Sequence, residues 1–456
     1  MSGTFVTAAA LARSYAEGQA DPVSAVRGAL ERAEQVPHAF ISLTPERALQ
    51  EARASAQRWQ AGRPLSPLDG VPVAWKDLFD VAGTVTTAGS AVFAAHAAAA
   101  QDAPLVAAGA RAGMICIGKT NLSEFAYSGL GLNPHFGTPT NPAVAAGTRV
   151  PGGSSSGAAI AVACGVVPIA IGTDTGGSIR IPSAFNGLVG YRPSTSRYSR
   201  EGVVGLSETL DTLGPLTHSV ADCLAFDAIV RPRAAVAPLS GPVKLAGLRF
   251  VVDPSLFERY AVTKAVAANL VQFVSQLEQA GATIETRALA TLAAVAKTIR
   301  EDGWIGALEA FALHRALLDS PDAARIDARV RTRLEASRAI PPGRREMLLA
   351  RRKELIASFS EELAGASLIA PTAAFGAPEL AAVAADPELF ARVNLQTLAL
   401  TMPGSFLDTP AFAMPSGFDT DGLPTSVQIM RPQGDDDALF EVVTAIAGVA
   451  KQAHVL

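Results

Sequence analysis

Apolar residues recur at helical spacing through the N-terminal part of the chain. Leu11, Val26, Leu30 and Ala33 sit among charged neighbours and predict helix between about Ala8 and Trp59. A Pro/Gly-rich passage from Gly62 to Pro72 ends this part. Beyond it, short β-branched runs alternate with alanine-rich helical stretches. Val71–Trp75 predicts a strand leading into Lys76, Leu105–Ala112 a helix and Met114–Ile117 a strand. Ala158–Cys164 predicts a helix stopped by Gly165, and Val166–Ile171 a strand. Helical patterns return at Val262–Ala280 and Arg325–Leu363, the second with a dense Arg/Glu face that reads as solvated. Ser367–Pro371 and Ser426–Met430 predict late strands, and the proline-rich Pro232–Val243 a surface connection. The alternation implies a layered α/β fold with a mixed or parallel central sheet.

Composition narrows the field. With 456 residues, 49% of them hydrophobic and 18% charged, the chain can bury a large core as one big domain or two smaller ones. A net charge of −4 without long basic runs argues against nucleic-acid binding. The longest apolar stretch, Ala158–Ile171, is broken by Gly165 and Pro168 and is too short to cross a bilayer. The N-terminus lacks the basic lead of a secretory signal, so a cytoplasmic protein is expected. Cys116, Cys164 and Cys223 are scattered in apolar settings and read as reduced structural thiols, and no metal-spaced Cys/His cluster occurs.

The candidate chemistry lies in two glycine-serine turns, Gly152–Gly157 and Asp174–Arg180, and in a lysine far upstream. Serine is inert at neutral pH unless a neighbouring base takes its proton. In the second turn, Gly176 and Gly177 let backbone N–H groups converge ahead of a short helix expected from Pro182 to Asn186. Such amides bind developing negative charge, and Ser178 would face the same point. Asp174 and Arg180 flank this turn and are expected to brace it as an ion pair. Lys76 follows an apolar run; desolvation there would lower its pKa toward a useful base, whereas snorkelling or pairing with Asp77 or Asp80 would leave it charged.

Around these residues the sequence resembles the amidase signature family. The resemblance rests on Val73-Ala-Trp-Lys-Asp77, Pro151-Gly-Gly-Ser-Ser-Ser-Gly157 and Gly172-Thr-Asp-Thr-Gly-Gly-Ser-Ile-Arg180. Gly118–Phe125, Gly137–Pro142, Gly190–Pro193 and Asp211–Pro215 agree, and the match is dense from about Asp69 to Asp222. The resemblance implies amide hydrolysis through a Ser–cis-Ser–Lys triad: Ser178 as nucleophile, Ser154 as bridging serine after a cis peptide bond, Lys76 as base. It further implies an oxyanion site at the backbone amides of Thr175, Gly176, Gly177 and Ser178, with no metal or organic cofactor. Ser155 becomes a supporting hydrogen-bonding residue, or simply the N-cap of the following helix.

The implied architecture is one large α/β domain whose central mixed, largely parallel twisted sheet is covered by helices. It comprises an N-terminal helical part (1–62), a signature core (63–230), a variable helical segment on the substrate side (253–365) and a C-terminal part rejoining the sheet (366–456). The implied function is hydrolysis of a small-molecule carboxamide, with no direct nucleic-acid or membrane partner and a homodimer left open. Two alternatives stand beside it: the glutaminase subunit of a tRNA-dependent amidotransferase, and an inert protein of the same fold serving as an interaction partner. Pocket walls are expected between about Asp253 and Ser405; Met402–Phe412, with Gly404 displaced, departs from the family pattern.

Two other motif spellings compete. Gly113–Thr120 fits the phosphate-loop pattern, but its Met-Ile-Cys-Ile centre reads as a strand with Lys119 beyond it. Gly153–Gly157 fits the nucleophile elbow GxSxG, which must follow a buried strand, whereas the residues before it read as a loop. None of the six histidines, His38, His96, His135, His218, His314 and His454, lies in a catalytic context.

Overall fold

The computed structural model describes residues 6–142, 147–231 and 244–450. The expected connection at Pro232–Val243 and His454 lie outside the described residues. Among the described residues, eleven strands form one sheet: β1 (Phe40–Leu43), β2 (Pro72–Lys76), β3 (Ile115–Thr120), β4 (Ile169–Asp174), β5 (Val189–Arg192), β6 (Thr212–Thr217), β7 (Arg249–Val252), β8 (Thr283–Thr286), β9 (Ser367–Pro371), β10 (Ala411–Phe418) and β11 (Pro424–Met430). Their order is β1-β3-β2-β4-β6-β5-β10-β11-β9-β7-β8, and seventeen α-helices surround them among the described residues. None of these helices is long and apolar enough to cross a membrane.

The sheet is mixed, but the expectation of a largely parallel one needs correction. Only the β2–β3, β2–β4, β7–β8 and β7–β9 pairings are parallel; the other six are antiparallel. For one pair the reason is connection length: β10 and β11 follow one another through a short turn, which permits only antiparallel pairing. The pattern of the chain does not announce β6 and β10, because Gly214 and Pro215 interrupt the first and Pro415 and Gly417 the second, blurring the alternation.

Other boundaries also move. The N-terminal helical part is three helices, Ala8–Ala16, Pro22–Gln35 and Pro45–Gln60, with β1 between the last two. The strand expected at Val166–Ile171 begins at Ile169, after Pro168, and runs to Asp174. The short helix expected at Pro182 starts at Arg180, because the Asp174 carboxylate accepts from the amides of Ile179 and Arg180 and fixes the start there. The Arg/Glu-rich Arg325–Leu363 stretch divides into the helices Ala328–Glu335 and Arg344–Leu363 with a 3₁₀ turn between.

Alternation along β2 positions the chemistry. Val73 and Trp75 enter the core cluster on one face of the sheet, while Ala74 packs on the other face with Ala158, Ala159 and Val162 of the helix Ser156–Ala163. The period of two then sends Lys76 to the Ala74 side, where that helix begins. The helix is buried all round, which suits its wholly apolar composition.

Candidate active site

β2 and β4 run parallel with Trp75 opposite Ile171, so Lys76 at the end of β2 lies beside the Gly172–Thr173 segment of β4. Such carboxyl-terminal strand ends are where α/β sheets open to ligands. Lys76 is fully buried, and its Nζ lies 2.6 Å from Ser154 Oγ and 2.8 Å from Thr173 Oγ1. Burial pulls the lysine pKa from 10.5 down to about 7, although the charges of Asp211 and Asp174 act in the other direction. Lys76 neither snorkels to solvent nor pairs with Asp77. The Asp77 carboxylate is held instead by Lys119 at 2.6 Å, with both side chains buried.

Ser154 is fully buried and follows a cis Gly153–Ser154 peptide bond. The turn that carries it is anchored by Gly153 N–H donating to Gly129 O at 2.8 Å and by Ser154 O accepting from Ser123 N at 3.1 Å. Gly172 makes room beside it: a Cβ there would lie 2.6 Å from Ser155 Oγ. Ser155 occupies the N-cap position of the helix Ser156–Ala163, yet its hydroxyl does not cap it. The hydroxyl donates to Thr173 O at 3.3 Å and accepts from Thr173 N at 3.4 Å, joining the serine turn to β4.

The second turn lies against the first, with Ser155 N–H donating to Ser178 O at 3.3 Å. Ser178 is buried, and its hydroxyl makes no hydrogen bond among the described residues. The amides of Gly176, Gly177 and Ser178 likewise pair with no backbone acceptor among the described residues. Thr175 leans on Asp211 through a 2.5 Å hydroxyl–carboxylate hydrogen bond, and the other oxygen of Asp211 accepts from Leu206 N and Ser207 N. Gly177 has φ +137°, and a Cβ there would collide with Thr401 Oγ1, so the position requires glycine.

The expected brace is present. Arg180 Nη2 lies 3.0 Å from Asp174 Oδ1 with both side chains fully buried, and Nε donates to Oδ2 at 3.0 Å. Burial pushes the Asp174 carboxyl up, but the charge and hydrogen bonds of Arg180, with Arg192 nearby, outweigh it and leave the pKa below its ordinary value. Arg180 also donates to Gln428 Oε1 at 2.9 Å and Ser405 Oγ at 2.8 Å, tying the turn to the C-terminal part.

Thr173, Asp211 and Gln428 are given no role by the sequence, although Asp211 opens one of the motifs quoted above. Thr173 lies inside a motif the sequence displays, but only the strand register brings its hydroxyl to Lys76. The competing motifs fail on geometry. Gly118-Lys-Thr120 belongs to β3, with Lys119 buried against Asp77, Val85 O and Thr86 Oγ1, so it is a strand rather than a phosphate loop. Lys119 lies within this strand, not beyond it. His135 meets Glu124, and His314 packs on Phe125 at 4.3 Å between ring centroids, so neither serves the serines. Among the described residues, no group of three or more His, Cys, Asp or Glu side chains is placed to hold a metal ion.

A buried amine beside a hydroxyl, next to a second serine and a row of unpaired amides, has the parts of a nucleophilic acyl-transfer centre. Comparison with known proteins points the same way. The chain is 32% identical over 422 residues to 2-amino-5-chloromuconic acid deaminase of Comamonas testosteroni, covering 92% of this chain and 90% of the relative. It is 33% identical over 470 residues to a glutamyl-tRNA(Gln) amidotransferase subunit of Cupriavidus necator, covering 91% of each chain. A crystal structure of an amidase superposes with TM-score 0.84 at 30% identity, over 98% of this chain and 99% of that one. The profile of the family described as Amidase matches residues 22–440, and the chain therefore belongs to the amidase signature family of amidohydrolases.

Proposed function

We propose that this protein hydrolyses a small-molecule carboxamide, R–CO–NH–R′, to a carboxylic acid and ammonia or an amine, working in the cytoplasm through an acyl-enzyme on Ser178. The observation that carries the reading is the fully buried Lys76 amine, 2.6 Å from Ser154 Oγ and with a pKa of about 7. Neutral Lys76 accepts the Ser154 proton while Ser154 accepts the Ser178 proton, and Ser178 Oγ attacks the carbonyl carbon. The carbonyl oxygen gains charge against the amides of Thr175, Gly176, Gly177 and Ser178, where one such donor is worth about 3 kcal/mol. The tetrahedral species collapses as the same relay returns a proton to the leaving nitrogen. Water then attacks the ester, giving its proton to the relay, and the acid leaves as Ser178 is re-formed. Asp174, Arg180 and Ser155 hold the two turns without touching the reacting atoms.

Replacing Ser178 with Ala should abolish hydrolysis, by at least about a thousandfold, while leaving the melting temperature near that of the wild type. Turnover surviving within tenfold sinks the assignment.

A second reading has its own support in the relatives named as glutamyl-tRNA(Gln) amidotransferase subunits, which match along most of their length. It requires partner proteins, and predicts co-purification with them and glutamine-restricted turnover. An inert interaction protein would take no fluorophosphonate label at Ser178.

A further inference from the structure

Gly176, in the middle of the serine turn, sits against three apolar side chains from the C-terminal half of the chain. A methyl group added at Gly176 would lie 3.6 Å from Met402 Cγ, 3.7 Å from Leu398 Cδ2 and 3.7 Å from Trp304 Cζ2. Trp304 and Leu398 are only half-buried, while Met402 is buried. Leu398 also closes on the other side of the site, since a methyl group at Gly129 would come within 3.1 Å of its Cγ. Gly129 O in turn accepts from Gly153 N beside Ser154. Trp304 is steadied by Phe406, at 6.5 Å between ring centroids.

Chemistry decides which part of the substrate meets this wall. The leaving nitrogen must face Ser154, which returns its proton, and the carbonyl oxygen must face the amides. The remaining substituent, the acyl group, is left to the side of Gly176. Charged groups bordering the turn offer it nothing. Asp174 is used by Arg180 and two backbone amides, Asp211 by Thr175, Leu206 N and Ser207 N, and Arg180 by Asp174, Gln428 and Ser405. The one polar side-chain atom of Thr401, Oγ1, is bound to Gly176 O and Leu398 O. An ionic acyl group there would lose water without gaining a partner.

We infer that Trp304, Leu398 and Met402 form the acyl-side pocket and select amides whose acyl group is uncharged and apolar, aryl or medium-chain alkyl. This rests on the acyl-enzyme reading above. Glutamine and other amides bearing a carboxylate or ammonium near the carbonyl are the disfavoured class.

The test uses primary amides that share ammonia as leaving group. Benzamide, phenylacetamide and hexanamide are compared with malonamate and glutamine by ammonia release, alongside fluorophosphonate labelling of Ser178. The expected result is Ser178 labelling and a kcat/KM at least about a hundredfold higher for the apolar amides. Trp304→Ala should lower that preference by about tenfold or more, and Leu398→Lys, at a half-buried position, should shift it toward malonamate. A labelled Ser178 with malonamate or glutamine turned over as well as benzamide overturns the pocket assignment and leaves the acyl-enzyme reading standing. An unlabelled Ser178 with no amide turned over overturns both.

Discussion

The pKa of Lys76 makes the sharpest demand on the proposed chemistry. An ordinary lysine, at 10.5, would carry a free lone pair in only about one molecule in 3,000 at pH 7. At a pKa of about 7, roughly half the molecules hold the neutral amine at neutral pH, and about 1% do at pH 5. If neutral Lys76 starts the relay, kcat/KM should fall about 50-fold from pH 7 to pH 5 and gain only about twofold above pH 7. Lys76→Met should cost about 10²–10⁴ in kcat/KM and remove this acid limb from whatever activity remains.

The same shift has a signature in stability. Between the folded pKa near 7 and the ordinary 10.5, the unfolded chain binds a proton that the folded chain does not, so this site makes stability rise with pH across that window. Below pH 7 the amine is charged in both states, and the full cost of burying the ammonium remains. Lys76→Met lacks that cost, so its melting temperature relative to wild type should be highest near pH 6 and should decline toward pH 10. Thermal unfolding of both proteins across this range, paired with pH–rate profiles, checks the two limbs together. A wild-type rate that is flat from pH 8 to pH 5, or a melting-temperature difference that does not change with pH, refutes the reasoning.

Two further outcomes concern the supports of the site. Thr173→Val keeps the side-chain shape but removes the hydroxyl 2.8 Å from Lys76 Nζ; kcat should fall about ten- to a hundredfold with circular dichroism unchanged, since one such hydrogen bond is worth about 1.5–3 kcal/mol. Asp174→Asn leaves the Arg180 guanidinium buried without its carboxylate, so chemical denaturation should show a loss of about 3–5 kcal/mol, accompanied by lost activity as the turn loosens.

The turns and the brace were legible from local rules, whereas the roles expected of Ser178, Ser154 and Lys76 came from the family resemblance. Two glycines before a serine had to make a turn, whereas the apolar run before Lys76 left its burial open against snorkelling or pairing with Asp77 or Asp80, and the structure decides for burial. The Asp174–Arg180 brace followed from proximity along the chain. What escaped was set by pairing between distant strands. Strand β1 is only Phe40–Leu43, wedged between two helices, too short for alternation to register. The run Met-Ile-Cys-Ile did announce β3, but nothing local showed that the strand continues through Lys119 or that this lysine, rather than Lys76, takes the Asp77 carboxylate. A linear pattern sets a charge in apolar surroundings without naming its partner.

The proposed site is assembled as a unit from distant parts of the chain. Its reactive groups come from the N-terminal half, but their geometry is held from the far end of the chain. Arg180 spans from Asp174 to Gln428 on β11 and to Ser405, and Gln428 Nε2 donates in turn to Pro371 O and Leu400 O. Thr401 Oγ1 donates to Gly176 O, next to the unpaired amides. The segment Leu398–Ser405 thus both holds Gly176 O through Thr401 and places Leu398 and Met402 beside Gly176. On the proposed reading, selection of the acyl group and orientation of the oxyanion donors are mechanically joined. Substitutions that reshape the wall at Met402 should disturb kcat as well as KM, whereas changes at Trp304, which lies on a separate element, should act mainly on KM.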